Sequence, residues 1–391
     1  MAEPIPTATP VDGNEVRKGE YSYVPITQTQ PVFAQVLGVE NNFNVPPDVM
    51  GILQTANTIS IRQHVKILPK VCCTCPPCVR QPNTYSVFAG IGNNAEAEFL
   101  RLDEVSEDWN RCCCSPYHPV TLEARQYIPG PGDYGSADAM HIGSDLARDW
   151  DRFSRQERAV AMRDLYKQTP VLFSMVRDDG QRCCRFPCKW LSTFVCCACC
   201  QDGMHIYSGG FDDEPEEDAG RHLNLPKDKL LGSAIQPQFG GWCIPRLDLR
   251  TEGSNDTDEP YAKIEGPCVF GGWSEMCCSF KFYTSLFGSP SKTGDVALIT
   301  KKKPVSASGA LQQLVTEADN YIIDFSGDSN SNLSGPQKLT ILTSQILLDY
   351  MLFDGNTQKC RFANEGIYCY LCYCSIVGCL VPFTIFIPTK K

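Results

Sequence analysis

The side chains best able to do chemistry are cysteines, 23 in 391 residues, and they come in runs. The runs are CCTCPPC (Cys72 to Cys78), CCC (Cys112 to Cys114), Cys183-Cys184 with Cys188, CCACC (Cys196 to Cys200), Cys277-Cys278 and CYLCYCSIVGC (Cys369 to Cys379). Sequence neighbours rarely reach disulfide geometry without strain, and secreted disulfide scaffolds are short with spaced cysteines. The first thirty residues contain no apolar stretch of the signal-peptide kind. The thiols are therefore expected in a reducing cytosol, where they can be free, metallated or acylated. Zinc asks for four tetrahedral ligands, commonly from C-x-x-C pairs. Cys75 and Cys78, Cys196 and Cys199, and Cys369 and Cys372 have that spacing, but the thiols beside them are superfluous for a metal. S-acylation makes no such geometric demand and favours apolar neighbours near a membrane. WLSTFVCCACC (Trp190 to Cys200) meets that need, with Arg185 and Lys189 nearby to attract anionic lipid. Cys196, Cys197, Cys199 and Cys200 are thus candidate acylation sites, and two chains anchor stably where one does so marginally. For Cys112 to Cys114 and Cys277-Cys278, plain buried cysteine is an equal reading.

Two further groups suit a lipid surface. Lys301, Lys302 and Lys303 form the strongest local basic run, fit for anionic headgroups, an import receptor or simply solvent. Ile367 to Ile387 is uncharged, contains Cys369, Cys372, Cys374 and Cys379, and is flanked by Arg361, Glu365 and Lys390-Lys391. It is long enough to cross a bilayer. Pro382 and the many Tyr and Cys suit a smooth helix poorly, so a tail anchor, an acylated interfacial segment and a strand pair all stay open. None of the five His (64, 118, 141, 205, 222) sits in a recognisable catalytic motif, and no Gly-rich phosphate loop occurs. The chain is not expected to be an enzyme. A net charge of −10 argues against whole-molecule attraction to nucleic acid.

The elements that must position these groups are short strands. ISIRQHVKIL (Ile59 to Leu68) alternates in places, and further strands are expected at Tyr85 to Ala89, Glu96 to Leu102, Val120 to Ala124 and Leu172 to Val176. Others follow at His205 to Tyr207, Leu247 to Arg250, Tyr261 to Ile264, Phe280 to Thr284 and Ala297 to Thr300. Gly- and Asn-rich turns punctuate them, as in an all-β barrel or sandwich. KLTILTSQILLDYMLF (Lys338 to Phe353) reads as a helix, introduced by Ser334-Gly335-Pro336 and closed by Asp354-Gly355. It is apolar almost all round, so it must be buried on every side, and a β-barrel wrapped around it would achieve this. Asp349 within it is expected to be a hydrogen-bonded structural acid. Residues 1–45 read as a flexible Pro-rich leader, 46–355 as the barrel domain with insertions at 126–170 and 208–226, and 356–391 as a Cys-rich hydrophobic tail. A helix is expected from Ser144 to Lys167 inside the first insertion.

Several strings, in order, resemble those of the phospholipid scramblase family. NRCCCSPYHPVTL (Asn110 to Leu122) looks like its CC-G-x-x-R-P-F motif, with Ser115 for Gly and His118 for Arg. CCACC resembles its acylation cluster, IEGPCV (Ile264 to Val269) its SGPC segment, TEADNYIIDF (Thr316 to Phe325) its acidic loop, and ILLDYMLFDG (Ile346 to Gly355) its terminal helix. The resemblance implies a tubby-like fold, a closed barrel around a central hydrophobic helix. It also implies weak calcium binding at the acidic loop, through Glu317, Asp319 and Asp328 with Asn320 and Asp324 as extra oxygens. The fit to an EF-hand is poor, because Ile322 stands where Gly is needed and Asp328 where Glu is usual. The alternation of Tyr321, Ile323 and Phe325 equally suits a strand with its acids in solvent.

The function expected is ATP-independent, bidirectional movement of phospholipids between leaflets, at the cytoplasmic face of a membrane (the plasma membrane foremost), with calcium shifting engagement. The alternative is an acyl-anchored, tubby-like adaptor that binds lipid headgroups or protein partners without transport. Its leader would recruit those partners, although it has no PxxP or PPxY string. A thiol-rich metal or redox protein is the third reading.

Overall fold

The computed structural model describes residues 47–64, 82–90, 97–105, 120–127, 169–177, 202–210, 227–237, 241–251, 259–288, 296–304, 319–327, 333–353, 359–363, 365–376 and 379–388. All belong to the compact unit formed by Gln30–Ile128 and Thr169–Lys391. The leader, the CCACC run and nearly all of both insertions, including the helix expected at 144–167, lie outside the described residues.

Twelve strands form the barrel. They are β1 (Thr58–Gln63), β2 (Thr84–Gly90), β3 (Ala97–Glu104), β4 (Val120–Gln126), β5 (Phe173–Arg177), β6 (Gly203–Ser208), β7 (Leu230–Ile235), β8 (Arg246–Thr251), β9 (Ala262–Glu265), β11 (Phe280–Leu286), β12 (Ala297–Lys301) and β13 (Asn320–Asp324). Every neighbour pair is antiparallel, and β1 closes the sheet by pairing both β2 and β13. Closure leaves no free edge. A smaller sheet lies outside the barrel, with β15 (Gly366–Ile376) pairing β10 (Val269–Phe270), β14 (Cys360–Ala363) and β16 (Cys379–Pro388). A short helix, α1 (Pro47–Thr55), precedes β1.

The barrel is filled by α2, an α-helix over Gly335–Leu348 that continues as a π-helical turn, Asp349–Phe353. It starts earlier than periodicity alone indicates because Ser334 caps it. The Ser334 hydroxyl accepts from the Gln337 amide while Gln337 Oε1 accepts from the Ser334 amide, a reciprocal capping box. Leu339, Ile341, Leu342, Ile346, Leu347 and Leu348 are all buried against the strands. Burying each contributes roughly 1.5–3 kcal/mol. The buried hydroxyls of Thr340 and Thr343 donate to the carbonyls of Pro336 and Leu339 one turn back, so these two enter the core already satisfied, whereas the side-chain amide of Gln345 is buried on the same helix without a hydrogen-bond partner.

Two contacts fix the helix in place. A side chain at Gly232 of β7 would put its Cβ 2.6 Å from Thr340 Oγ1 and 2.8 Å from the Arg250 carbonyl, so helix and sheet approach there only because Gly has none. Lys338, buried, donates to the carbonyls of Gln54 (2.9 Å) and Ala56 (2.8 Å) at the end of α1, and its ammonium lies 4.8 Å from the Phe325 ring centroid. A cation suits a helix C-terminus.

Gly232→Ala is expected to destabilise the protein by about 1–3 kcal/mol in urea unfolding, because neither the sheet carbonyl nor the packed helix can retreat. Lys338 supplies a pH signature. Desolvation lowers its pKa to about 8, below the unfolded lysine value of about 10.4. Between those values the unfolded chain holds the extra proton, so stability rises with pH. Relative to Lys338→Met, the native protein should gain about 1 kcal/mol per unit as pH climbs above 8. A constant gap between the two proteins across pH 7.5–9.5 would refute this assignment.

Candidate functional site

Where α2 ends, the barrel interior turns polar. Asp349, fully buried, accepts hydrogen bonds from the hydroxyls of Tyr321 (2.6 Å, β13) and Tyr85 (2.8 Å, β2). Burial first, then the Asp349 charge, pushes the Tyr321 hydroxyl well above its ordinary pKa, so it remains a donor. Tyr350 donates to Glu104 of β3 (2.9 Å), and that carboxylate also accepts the Asn83 amide (2.7 Å). Arg177 of β5 pairs with Asp202 at 3.1 Å.

Lys301, directly opposite Tyr321 on the neighbouring strand β12, is the hub of the same wall. Its ammonium donates to Asp319 (2.7 Å), lies 3.6 Å from Glu275 and sits 3.5 Å from the Phe353 ring centroid. Burial alone would lower its pKa, but the carboxylates of Asp319, Glu275 and Asp349 outweigh that and raise it. Lys359, just before β14, reaches the same Glu275 at 3.6 Å. The belt joins the exit of the central helix to β2, β3, β12 and β13, and through Glu275 and Lys359 to the outer sheet. Its chemistry is that of a lock, with charges held in pairs around the π-turn.

The outer sheet presents a different surface. Its register shifts between Tyr370 and Cys372, where Leu371 is the extra residue. The bulge puts Tyr370 and Tyr373 on one face, stacked with centroids 5.8 Å apart and packed towards the core. Cys369, Cys372 and Cys374 consequently share the other face. Cys243, Cys268 and Cys372 lie close enough to act electrostatically on Cys374, whose thiol is pushed up by desolvation first and by these neighbours second. Cys243, Cys268, Cys277 and Cys278 are exposed. Large apolar side chains are also exposed on these segments: Trp242, 66% exposed, with Val269, Trp273 and Leu371, and Phe383, Ile385, Phe386 and Ile387 along β16. Of these, Phe383 and Ile385 stand opposite Cys372 and Cys369, while Phe386 packs on Tyr368. Trp242 holds φ at 65°, a left-handed conformation costly for a bulky residue and typical of functional loops. Lys303 donates to the Cys277 carbonyl (3.4 Å), which brings an exposed lysine to the edge of this face.

These placements sort the residues expected from sequence. Alternation along β12 turns Ala297, Ile299 and Lys301 inward, so Lys301, 2% exposed, is part of the lock; Lys302 and Lys303 face solvent. Alternation along β13 likewise separates Asp319, inside and paired with Lys301, from Asn320 and Asp324, outside. Asp324 caps the Ser326 amide at 2.9 Å. Glu317 and Asp328 lie outside the described residues, as do Cys196, Cys197, Cys199 and Cys200. Among the described residues no three His, Cys, Asp or Glu side chains are grouped to hold a metal ion. Cys369, Cys372 and Cys374 meet on the thiol face, and Cys379 opens β16. The segment Ile367 to Ile387, for which a membrane-spanning anchor is one expectation, is a pair of strands, and no helix among the described residues is long and apolar enough to cross a membrane. Sequence reading missed Cys243 and Cys360, because isolated cysteines carry no local signal, and it gave Cys268 of IEGPCV no role of its own.

No family model, no curated protein and no solved structure matches the chain. Fold and surface define a class by themselves: a closed antiparallel barrel filled by a helix, bearing an apolar, thiol-rich outer sheet.

Lys301→Met leaves Asp319 without its buried partner and should cost about 3–5 kcal/mol in chemical unfolding. Lys301→Met with Asp319→Leu should cost clearly less than the sum of the two single changes, a coupling above about 1 kcal/mol. Additive effects would mean that the pair is not coupled in the folded protein.

Proposed function

We propose that the protein is a membrane-attached homologue of the phospholipid scramblases, moving phospholipids between leaflets in both directions without ATP. The ordered resemblance of its motifs supports this reading. The observation that carries it is the uncharged outer hairpin, which exposes Phe383, Ile385, Phe386 and Ile387 beside Trp242, Trp273 and exposed cysteines. Interfacial aromatics and acylated thiols both belong at the headgroup level of a bilayer. Lys302 and Lys303 add attraction to anionic lipid on the cytoplasmic face.

Two physical constraints shape the mechanism. The barrel interior is filled by α2, so a headgroup cannot pass through it and must travel along the protein's outside. Among the described strands β16 pairs only with β15, so its outer backbone groups need water, headgroups or another strand and cannot lie bare in hydrocarbon. The hairpin therefore rests in the interface, where it would thin and disorder the leaflet it enters. Calcium bound by the acidic segment around Asn320 and Asp324 would strengthen the docking to anionic lipid. The free β16 edge also favours the second reading, an acyl-anchored adaptor that recruits a protein strand and transports nothing.

Proteoliposomes holding a fluorescent phospholipid separate these readings. The full-length protein should scramble lipid, with a further gain in millimolar calcium if the acidic segment binds it. Phe383→Glu/Ile385→Glu should weaken vesicle binding about tenfold or more and abolish scrambling, with unfolding midpoints unchanged. Binding without scrambling would select the adaptor. Failure to bind vesicles of any composition would overturn the membrane reading.

A further inference from the structure

We propose that Cys360 and Cys369 are a redox pair that closes a cross-strand disulfide between β14 and β15. The two residues stand directly opposite one another in the antiparallel register. The next pair along is hydrogen-bonded, since the Tyr370 amide donates to the Lys359 carbonyl at 2.9 Å. Pairs alternate in type, so Cys360 and Cys369 form a non-hydrogen-bonded pair, in which the Cα atoms are closest, about 4.5 Å apart. That falls inside the roughly 4.4–6.8 Å window for a disulfide. The sulfurs are already 3.8 Å apart, in contact, and small χ1 rotations bring them to bonding distance without moving backbone. Both thiols are half-buried and reachable by a small oxidant. Among the described residues Cys277 and Cys278 are also in contact, but they are sequence neighbours and have no such geometry.

The oxidant is a low-molecular-weight disulfide of the glutathione class. One thiol of the pair loses its proton, attacks a sulfur of that disulfide and expels the first small thiol. The second deprotonated thiol then attacks the mixed disulfide, forming the Cys360–Cys369 bond and expelling the second small thiol. Two protein thiols are oxidised and one small disulfide is reduced to two thiols, which take up the two protons. Desolvation and the hydrogen bond with Cys360 push the Cys369 thiol up, so the exchange is slow at neutral pH and accelerates as pH rises. The bond fixes the start of β14 to the apolar hairpin. Lys359, the residue before Cys360, contacts Glu275 in the buried lock. Oxidation therefore joins the strand beside that lock covalently to the apolar hairpin and withdraws Cys369 from acylation.

The full-length reduced protein is equilibrated with glutathione and increasing shares of glutathione disulfide, quenched with an alkylating agent, and digested with trypsin without reduction. Cleavage at Lys359 and Arg361 isolates Cys360 in a dipeptide, so the disulfide appears as that dipeptide joined to the peptide beginning at Phe362. Fragmentation should place the link at Cys369. The linked form should become the majority at an about tenfold lower share of glutathione disulfide than any link to Cys372 or Cys374. Cys369→Ser should abolish it and Cys372→Ser should leave it intact, and amide exchange in β14 should slow on oxidation of the native chain. Cys360 remaining free while other thiols oxidise, or joining a different cysteine in the native chain, would overturn the proposal.

Discussion

A helix that is apolar on every face cannot rest on a flat sheet, because one side would stay in water; it has to be enclosed. That requirement organises the molecule. Enclosure by strands needs a sheet that closes, and closure needs β1 to pair at both of its edges, with β2 on one side and β13 on the other. The one carboxylate that the helix carries, Asp349, must then be satisfied from the wall, and the hydroxyls of Tyr85 and Tyr321 reach it from those same two strands. The barrel seam and the buried charge thus support one another. A break at either would leave an unpaired carboxylate in the core, at a cost of several kcal/mol.

The polar lock around the π-turn extends this constraint to the outer sheet. Lys301 gathers Asp319 and Glu275, and Glu275 also receives Lys359, so the strand that leaves the barrel is tied electrostatically to its interior. The aromatic ring of Phe353 fills the space beneath the ammonium, with Phe270, Phe280 and Phe282 around it. Desolvation strengthens each pair and makes a lone partner costly.

With the interior filled, chemistry and recognition fall to the outside. The bulge at Leu371 lets Tyr370 and Tyr373 anchor β15 inward while the cysteines gather outward. On the readings proposed above, acylation and disulfide formation would compete for one thiol, Cys369. Pro382, in the middle of β16, has no N–H to offer a further strand, which blunts an otherwise apolar edge without removing it.

The alternation of apolar residues was enough to mark ten of the barrel strands, because each half-buried strand writes its own period of two. The strand β7 escaped notice: LLGSAI has no clear alternation, and Gly232 is there for the helix it touches. The all-round apolar helix, its Ser334 start and the role of Asp349 were likewise legible, since they depend on composition and on residues a turn apart. Tertiary structure decided the rest. Only the register of β12 and β13 sends Lys301 and Asp319 inward and leaves Lys302, Asn320 and Asp324 outside. Only the pairing of β14 with β15 sets Cys360 against Cys369, only the pairing of β10 with β15 brings Cys268 beside Cys374, and only the fold brings Cys243 near it. Periodicity and capping are written in neighbouring residues, whereas register and clustering arise from pairing between distant segments, which no local pattern encodes.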